Sequence, residues 1–200
     1  WLPVWFTLNP HGETLTPGKR TITVKMTSLA DPDDIVTAEI PLEVADEELP
    51  EQDVFCTNWF HCDCLATYYN VEIFSERHWE IIENFVRTAV KNGINMLLTP
   101  VFTPPLDTYI GGERPNVQLV GVTMTADGGW EFDFSLLDRW IDMCDRCGVR
   151  YFEISHLFTQ WGAAHAPKIV AKTPDGVRRI FGWDTDATGS EYTGFIRAFL

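Results

Sequence analysis

The sequence predicts an α/β chain holding part of a (β/α)8 TIM barrel, its first three units, preceded by part of a β-sandwich. Three observations predict it. Residues 1–48 alternate short β-branched or aromatic runs with turn chemistry. An acidic, proline-bearing segment follows, Asp46-Glu47-Glu48-Leu49-Pro50-Glu51. Beyond it a cycle of amphipathic helix, glycine and apolar strand occurs twice, with its glycines at Gly93 and Gly148.

Taken in order, the strand candidates of the first part are Val4 to Leu8, Arg20 to Met26 and Ile35 to Val44. Asn9-Pro10-His11-Gly12, Thr16-Pro17-Gly18 and Asp31-Pro32-Asp33-Asp34 separate them as turns. Three strands do not close a sandwich, so residues 1–48 are expected to be its C-terminal part. Clustered carboxylates repel one another and Pro50 breaks pairing, which makes the acidic segment a linker. Residues 49–200 then form the barrel part.

In that second part Val54 to Trp59 is a short apolar run that reads as a strand. Ser75 is an N-cap candidate for a helix running to Asn92, with Trp79, Ile82, Phe85, Val86, Ala89 and Val90 on one face. Gly93 supplies the left-handed residue that ends it, and Ile94 to Val101 is a nearly all-apolar strand. Ser135, with Asp138 three residues on, resembles a capping box for a second helix. Leu136, Leu137, Trp140, Ile141, Cys144 and Cys147 line that helix, Gly148 ends it, and Val149 to Ile154 is the next strand. Ser190 to Leu200 reads as a third helix. Strands without polar alternation are covered by helices on a parallel sheet. A doubly wound dinucleotide fold needs a glycine-rich loop after its first strand, where this chain has His61-Cys62-Asp63-Cys64. The barrel, with its long loops after each strand, fits better.

The chain has 200 residues with 15 Lys and Arg against 29 Asp and Glu, a formal charge of −14. That field opposes binding to nucleic-acid phosphates and to anionic membranes. Gly93 to Leu106, the most apolar stretch, carries three prolines and is too short to span a bilayer. The chain opens on Trp1 rather than Met, with no charged-then-apolar leader, so it is expected to be a processed or excised piece without a readable address. Its five cysteines are an odd number and far from the density of a disulfide scaffold.

Polar clusters fall at or just beyond the strand ends, where a barrel gathers its functional residues around one mouth. They are Trp59, His61 and Asp63; Thr99-Pro100 continuing to Asp107; Glu153, Ser155 and His156 with Gln160-Trp161; and Trp183-Asp184. A ring to stack on, with charged acceptors for hydroxyls, is what a sugar pocket requires. The competing structural reading has these Asp and His residues holding loop backbone. His61, Cys62, Cys64 and the Cys144-Asp145-Arg146-Cys147 stretch raise a zinc reading. Against it, Cys144 and Cys147 lie on the apolar stripe of a helix, and Cys62 and Cys64 face away from His61 and Asp63 if that segment is extended. No G-x-S-x-G occurs, and the single Asp-Glu dipeptide, Asp46-Glu47, lies in the linker.

Several longer runs resemble glycoside hydrolase family 123. They are Trp59 to Ala66, Thr99 to Thr108, Arg114 to Val120, Phe152 to Gly162 and Phe181 to Thr185. The resemblance runs from about Leu49 to Leu200. It implies a retaining, exo-acting β-N-acetylhexosaminidase of the N-acetylgalactosaminidase type, working on a carbohydrate with a terminal N-acetylhexosamine and needing no metal or organic cofactor. In that family the substrate's own 2-acetamido oxygen attacks the anomeric carbon, an exception to the two-carboxylate scheme. An Asp orients the acetamido group and the adjacent Glu is acid, then base. That pair is expected after the fourth barrel strand, beyond this chain, so no catalytic pair is assigned; Glu153 is the one carboxylate here that is a candidate for catalysis. The expected substrate-binding residues are His61, Asp63, Glu153, His156, Trp161, Trp183 and Asp184. The isolated chain is expected to be inactive. The alternatives are a non-catalytic carbohydrate-binding or structural module, and a zinc protein.

Overall fold

The structure, a computed structural model, describes residues 3–9, 12–48, 50, 52–105, 109, 111–159 and 162–200. The chain divides into two compact units, Trp1–Gln52 and Asp53–Leu200. In the first, β1 (Gly18–Thr27) and β2 (Ile35–Val44) pair antiparallel in unbroken register from Gly18 with Val44 to Thr27 with Ile35. The turn between them is fastened by the Asp34 amide donating to the Asp31 carbonyl, 3.1 Å. Of the three expected strands, Val4 to Leu8 is not one: it is rich in β-formers but has no ladder partner among the described residues, and a strand without a partner leaves its backbone groups to water.

The second unit is mixed α/β. Its parallel sheet holds β3 (Thr57–Asn58), β4 (Met96–Thr99) and β7 (Tyr151–Ile154), side by side in chain order. The helices α1 (Cys62–Tyr69), α2 (Glu76–Lys91) and α3 (Ser135–Cys147) are spaced between these strands along the chain. Leu97 and Phe152, partners across β4 and β7, pack with Ile82 and Val86 of α2 and with Trp140 and Met143 of α3. The helical spacing of those apolar residues is therefore the cause of the layer. Asn95 locks the sheet edge, accepting from the Cys56 amide at 2.8 Å and donating to the Val54 carbonyl at 3.0 Å.

Ser75 accepts from the His78 amide and starts α2. Past Asn92, Gly93 takes φ +91° while the Ile94 amide reaches back to the Ala89 carbonyl at 3.1 Å, closing the helix end. At α3 the expectation is shifted by one position: the N-cap is Phe134, Ser135 is the first helical residue, and the Asp133 carboxylate takes the Ser135 amide at 2.9 Å. Gly148 ends α3 in the left-handed region, φ +90°.

Two further features differ from the sequence expectation. Cys62 to Cys64 is helical, not extended, so the alternation of faces argued for those thiols does not apply. The long excursions after β4 and β7 are not plain loops either. They carry the hairpins β5–β6 (Gly121–Met124, Trp130–Asp133) and β8–β9 (Ile169–Thr173, Gly176–Phe181), joined through β5 and β8 into a four-stranded sheet. Helix α4 (Ser190–Phe199) lays Tyr192 and Phe195 against Phe102 and Phe181 of a second core associated with that sheet. Buried Gln118 fastens the β8 strand, accepting from the Val170 amide and donating to its carbonyl, both 2.8 Å.

Candidate functional site

The ends of β3 and β7 bring Thr57, Trp59, Glu153 and His156 together. In the ladders Thr57 opposes Met96 and Glu153 opposes Leu98, so the strand alternation places Thr57 and Glu153 on the same sheet face. Across the sheet, the Glu153 carboxylate accepts from the Thr57 hydroxyl at 2.7 Å and from the Trp59 indole N–H at 3.0 Å. Trp59 in turn sets its ring edge-on to His156, centroids 5.9 Å apart. Glu153 is thus an acceptor whose two oxygens hold neighbouring side chains in place, while the half-buried His156 keeps its Nδ1 without a partner among the described residues.

Asp63 lies in the first turn of α1 and is buried. It forms a two-pronged pair with Arg114, Nε to Oδ2 at 3.0 Å and Nη2 to Oδ1 at 3.1 Å. Such a fork fixes the guanidinium plane. The resulting link ties α1 to the segment before β5. His61 is the N-cap residue of α1 and is half-buried.

Trp183 and Asp184 belong to a third grouping. Asp184 accepts from Arg179 at 2.7 Å, which holds its carboxyl below the usual range. Arg179 also reaches Glu113 at 2.9 Å, and Lys168 closes on the other Glu113 oxygen at 3.1 Å. Beside this ladder is a cavity of about 110 Å³ bordered by Trp183, Tyr109, Thr159 and His165 together with Glu113 and Lys168.

The expected site residues are therefore divided. Trp59, Glu153 and His156 meet. Asp63 is engaged by Arg114, and Asp184 by Arg179; Trp183 edges the cavity. Trp161, with Gln160 and Asp107, lies outside the described residues. Ser155, from the third cluster, bonds both backbone groups of Phe102, donating to the carbonyl at 3.1 Å. Sequence reasoning did not single out Glu113, Thr159, His165, Lys168 or Arg179 for the site. Their signal is weak because each is an ordinary polar residue in a loop or hairpin, and only the fold of the excursions brings them together.

The thiols are not gathered into a ligand set. Burial pushes the Cys144 thiol up to about 12, and it lies in the core between α2 and α3. Among the described residues no three His, Cys, Asp or Glu side chains converge as metal ligands do.

No curated protein matches the chain. Among solved structures it is similar to a family 123 glycoside hydrolase from Clostridium perfringens, whose study concerned glycolipid glycan hydrolysis, with a TM-score of 0.70 at 16% identity. The match covers 92% of this chain and 32% of that one, so the chain spans about a third of the length of that relative. The family model of the glycoside hydrolase 123 catalytic domain matches residues 59–200, which include Trp59, the α1–α3 layer, both hairpins and the cavity. By that match the chain belongs to glycoside hydrolase family 123.

Proposed function

We propose that the protein is a retaining, exo-acting β-N-acetylhexosaminidase selective for N-acetylgalactosamine, and that residues 49–200 supply the first three units of its (β/α)8 barrel. The observation that carries this reading is the coincidence of the family match with three parallel strands in chain order whose ends present Trp59, Glu153 and His156. Residues 1–48 are then the C-terminal part of a sandwich preceding the barrel.

In the reaction so proposed, the acetamido oxygen of the substrate forms a bond to C1 as the glycosidic C1–O bond breaks. The leaving oxygen takes a proton from a Glu carboxyl. Water then adds at C1, giving its proton to the same carboxylate and reopening the acetamido ring, so the configuration is retained. Tethering the nucleophile to the sugar removes the entropy of bringing it there. The resemblance assigns this step to an Asp-Glu pair after the fourth barrel strand, and none of residues 1–200 is proposed for it. The part played by this chain is wall: Glu153 holds the Trp59 indole by its N–H, leaving the ring as an apolar surface next to His156. Glu153 is a positioning residue, while Asp63, in its fork with Arg114, holds α1 to the segment before β5.

Release of nitrophenol from the N-acetyl-β-galactosaminide tests the reading. The protein extended through the rest of the barrel is expected to turn over and the 200-residue chain to be inactive. Turnover by the short chain, or none by the extended one, overturns it.

A further inference from the structure

Resting on the sugar-cleaving reading, we propose that the cavity beside Trp183 seats the hydroxyl-bearing edge of an uncharged sugar, with Trp183 as its stacking platform and Thr159 and His165 as its hydrogen-bond partners. The site is distinct from the Trp59–Glu153–His156 grouping and shares no residue with it.

Two orphaned polar atoms point to a ligand. Thr159 is only 5% exposed, and its hydroxyl has no hydrogen-bond partner among the described residues. His165, on the same cavity, has its Nδ1 buried and equally without one among the described residues. Buried polar atoms are nearly always satisfied, so two on one small cavity call for an occupant that supplies what they lack. A sugar hydroxyl both donates and accepts. It therefore suits the threonine hydroxyl in either direction and the imidazole nitrogen in either tautomer.

The charges around the cavity decide against an anion. Glu113 has both oxygens occupied, one by Arg179 and one by Lys168. Arg179 is shared with Asp184, and Arg114 is held by Asp63 on both prongs. Three cations meet three carboxylates. A carboxylate or sulfate entering here would have to draw a cation away from a partner it already has, at the cost of a newly unpaired group. A neutral hydroxylated ligand disturbs none of these pairs. Trp183, 41% exposed at the rim, gives the flat apolar surface on which a sugar's C–H face packs. At about 110 Å³ the cavity takes one edge of a ring, not a disaccharide.

Calorimetry on the protein that carries this chain tests the site, using N-acetylgalactosamine and N-acetylgalactosaminuronate, in which a carboxylate replaces the hydroxymethyl group. Saturable binding of the neutral sugar is expected, weakened about tenfold by Trp183→Ala and about fivefold by Thr159→Val. Trp183→Phe, which keeps an aromatic face, should restore most of the affinity, and the uronate should bind at least tenfold more weakly than the neutral sugar. No saturable binding by the parent protein overturns the proposal. So does unchanged affinity in folded Thr159→Val, which serves alone if Trp183→Ala does not fold, or a uronate affinity equal to that of the neutral sugar. Nitrophenol release with binding indifferent to both substitutions defeats this site and leaves the hydrolase reading. Binding that follows Thr159 and Trp183 in an extended protein that releases no nitrophenol does the reverse.

Discussion

Asp63 and Arg114 show how much one pair can carry. Their side chains are 5% and 11% exposed, and the fork between them joins residues 51 apart along the chain. Removing one partner strands a buried charge, a loss of about 3–5 kcal/mol in comparable pairs. Asp63→Asn is therefore expected to lower the unfolding free energy in urea by roughly that amount. Arg114→Lys should recover little of the native stability, because an ammonium lacks the planar fork. Glu153 calls for a different test, since its oxygens are engaged by Thr57 and Trp59. Replacing a general acid by its amide costs on the order of 10²–10⁴ in rate. Glu153→Gln in the extended protein should instead raise KM several-fold and leave kcat within about tenfold of the parent. An alkyl glycoside is the substrate to use, because its leaving group needs the proton. A kcat loss of the larger size would make Glu153 the acid.

At the scale of elements, His78 decides how α1 and α2 respond to pH. The ring is fully buried, with Nδ1 accepting from the Phe74 amide at 2.9 Å and Nε2 donating to the Cys62 carbonyl at 2.9 Å. Burial holds its pKa below the usual histidine value, opposed in part by the Cys62 carbonyl. The unfolded chain thus binds a proton near pH 6.5 that the folded one refuses. His78 is expected to cost the protein stability as pH falls below about 6.5 and onward to the lowered folded value, with no contribution above that window. Urea unfolding at a series of pH values should show the slope, and His78→Gln should remove it even though its baseline is lower. The same contacts explain what the sequence made legible. Helices α2 and α3 announce themselves through apolar spacing and terminal glycines, because those signals are local. Helix α1 does not: it has eight residues, and its hold on the fold comes from His78 and Arg114, far along the chain. The hairpins were not read from the sequence, although each has a local turn pair, Asp127-Gly128 and Asp175-Gly176, flanked by β-formers. The cavity was not readable, because it exists only where the two excursions meet.

Taken whole, the 200-residue chain should be unevenly stable, and each unit has its own weak place. In the first unit β1 and β2 are exposed along nearly their whole length, with Met26, Val36 and Ile40 about half open to solvent. A lone two-stranded ladder is marginal in water. Its amides are expected to exchange with deuterium orders of magnitude faster than those of β4 and of the buried face of α2. In the second unit the weak place is an edge. Among the described residues β7 is paired with β4 on one side only, and Tyr151 and Ile154 are 40% and 53% exposed. An open strand edge flanked by apolar side chains is a template for another chain. The formal charge of −14 opposes that association at low salt, and screening relaxes the opposition. Sedimentation velocity of the 200-residue chain should therefore show self-association that grows with both protein and salt concentration. Ile154→Lys places a charge on the edge strand and is expected to return the chain to monomer at the same salt. Self-association that ignores Ile154→Lys and persists equally at low salt would move the sticky surface elsewhere, to the open faces of β1 and β2.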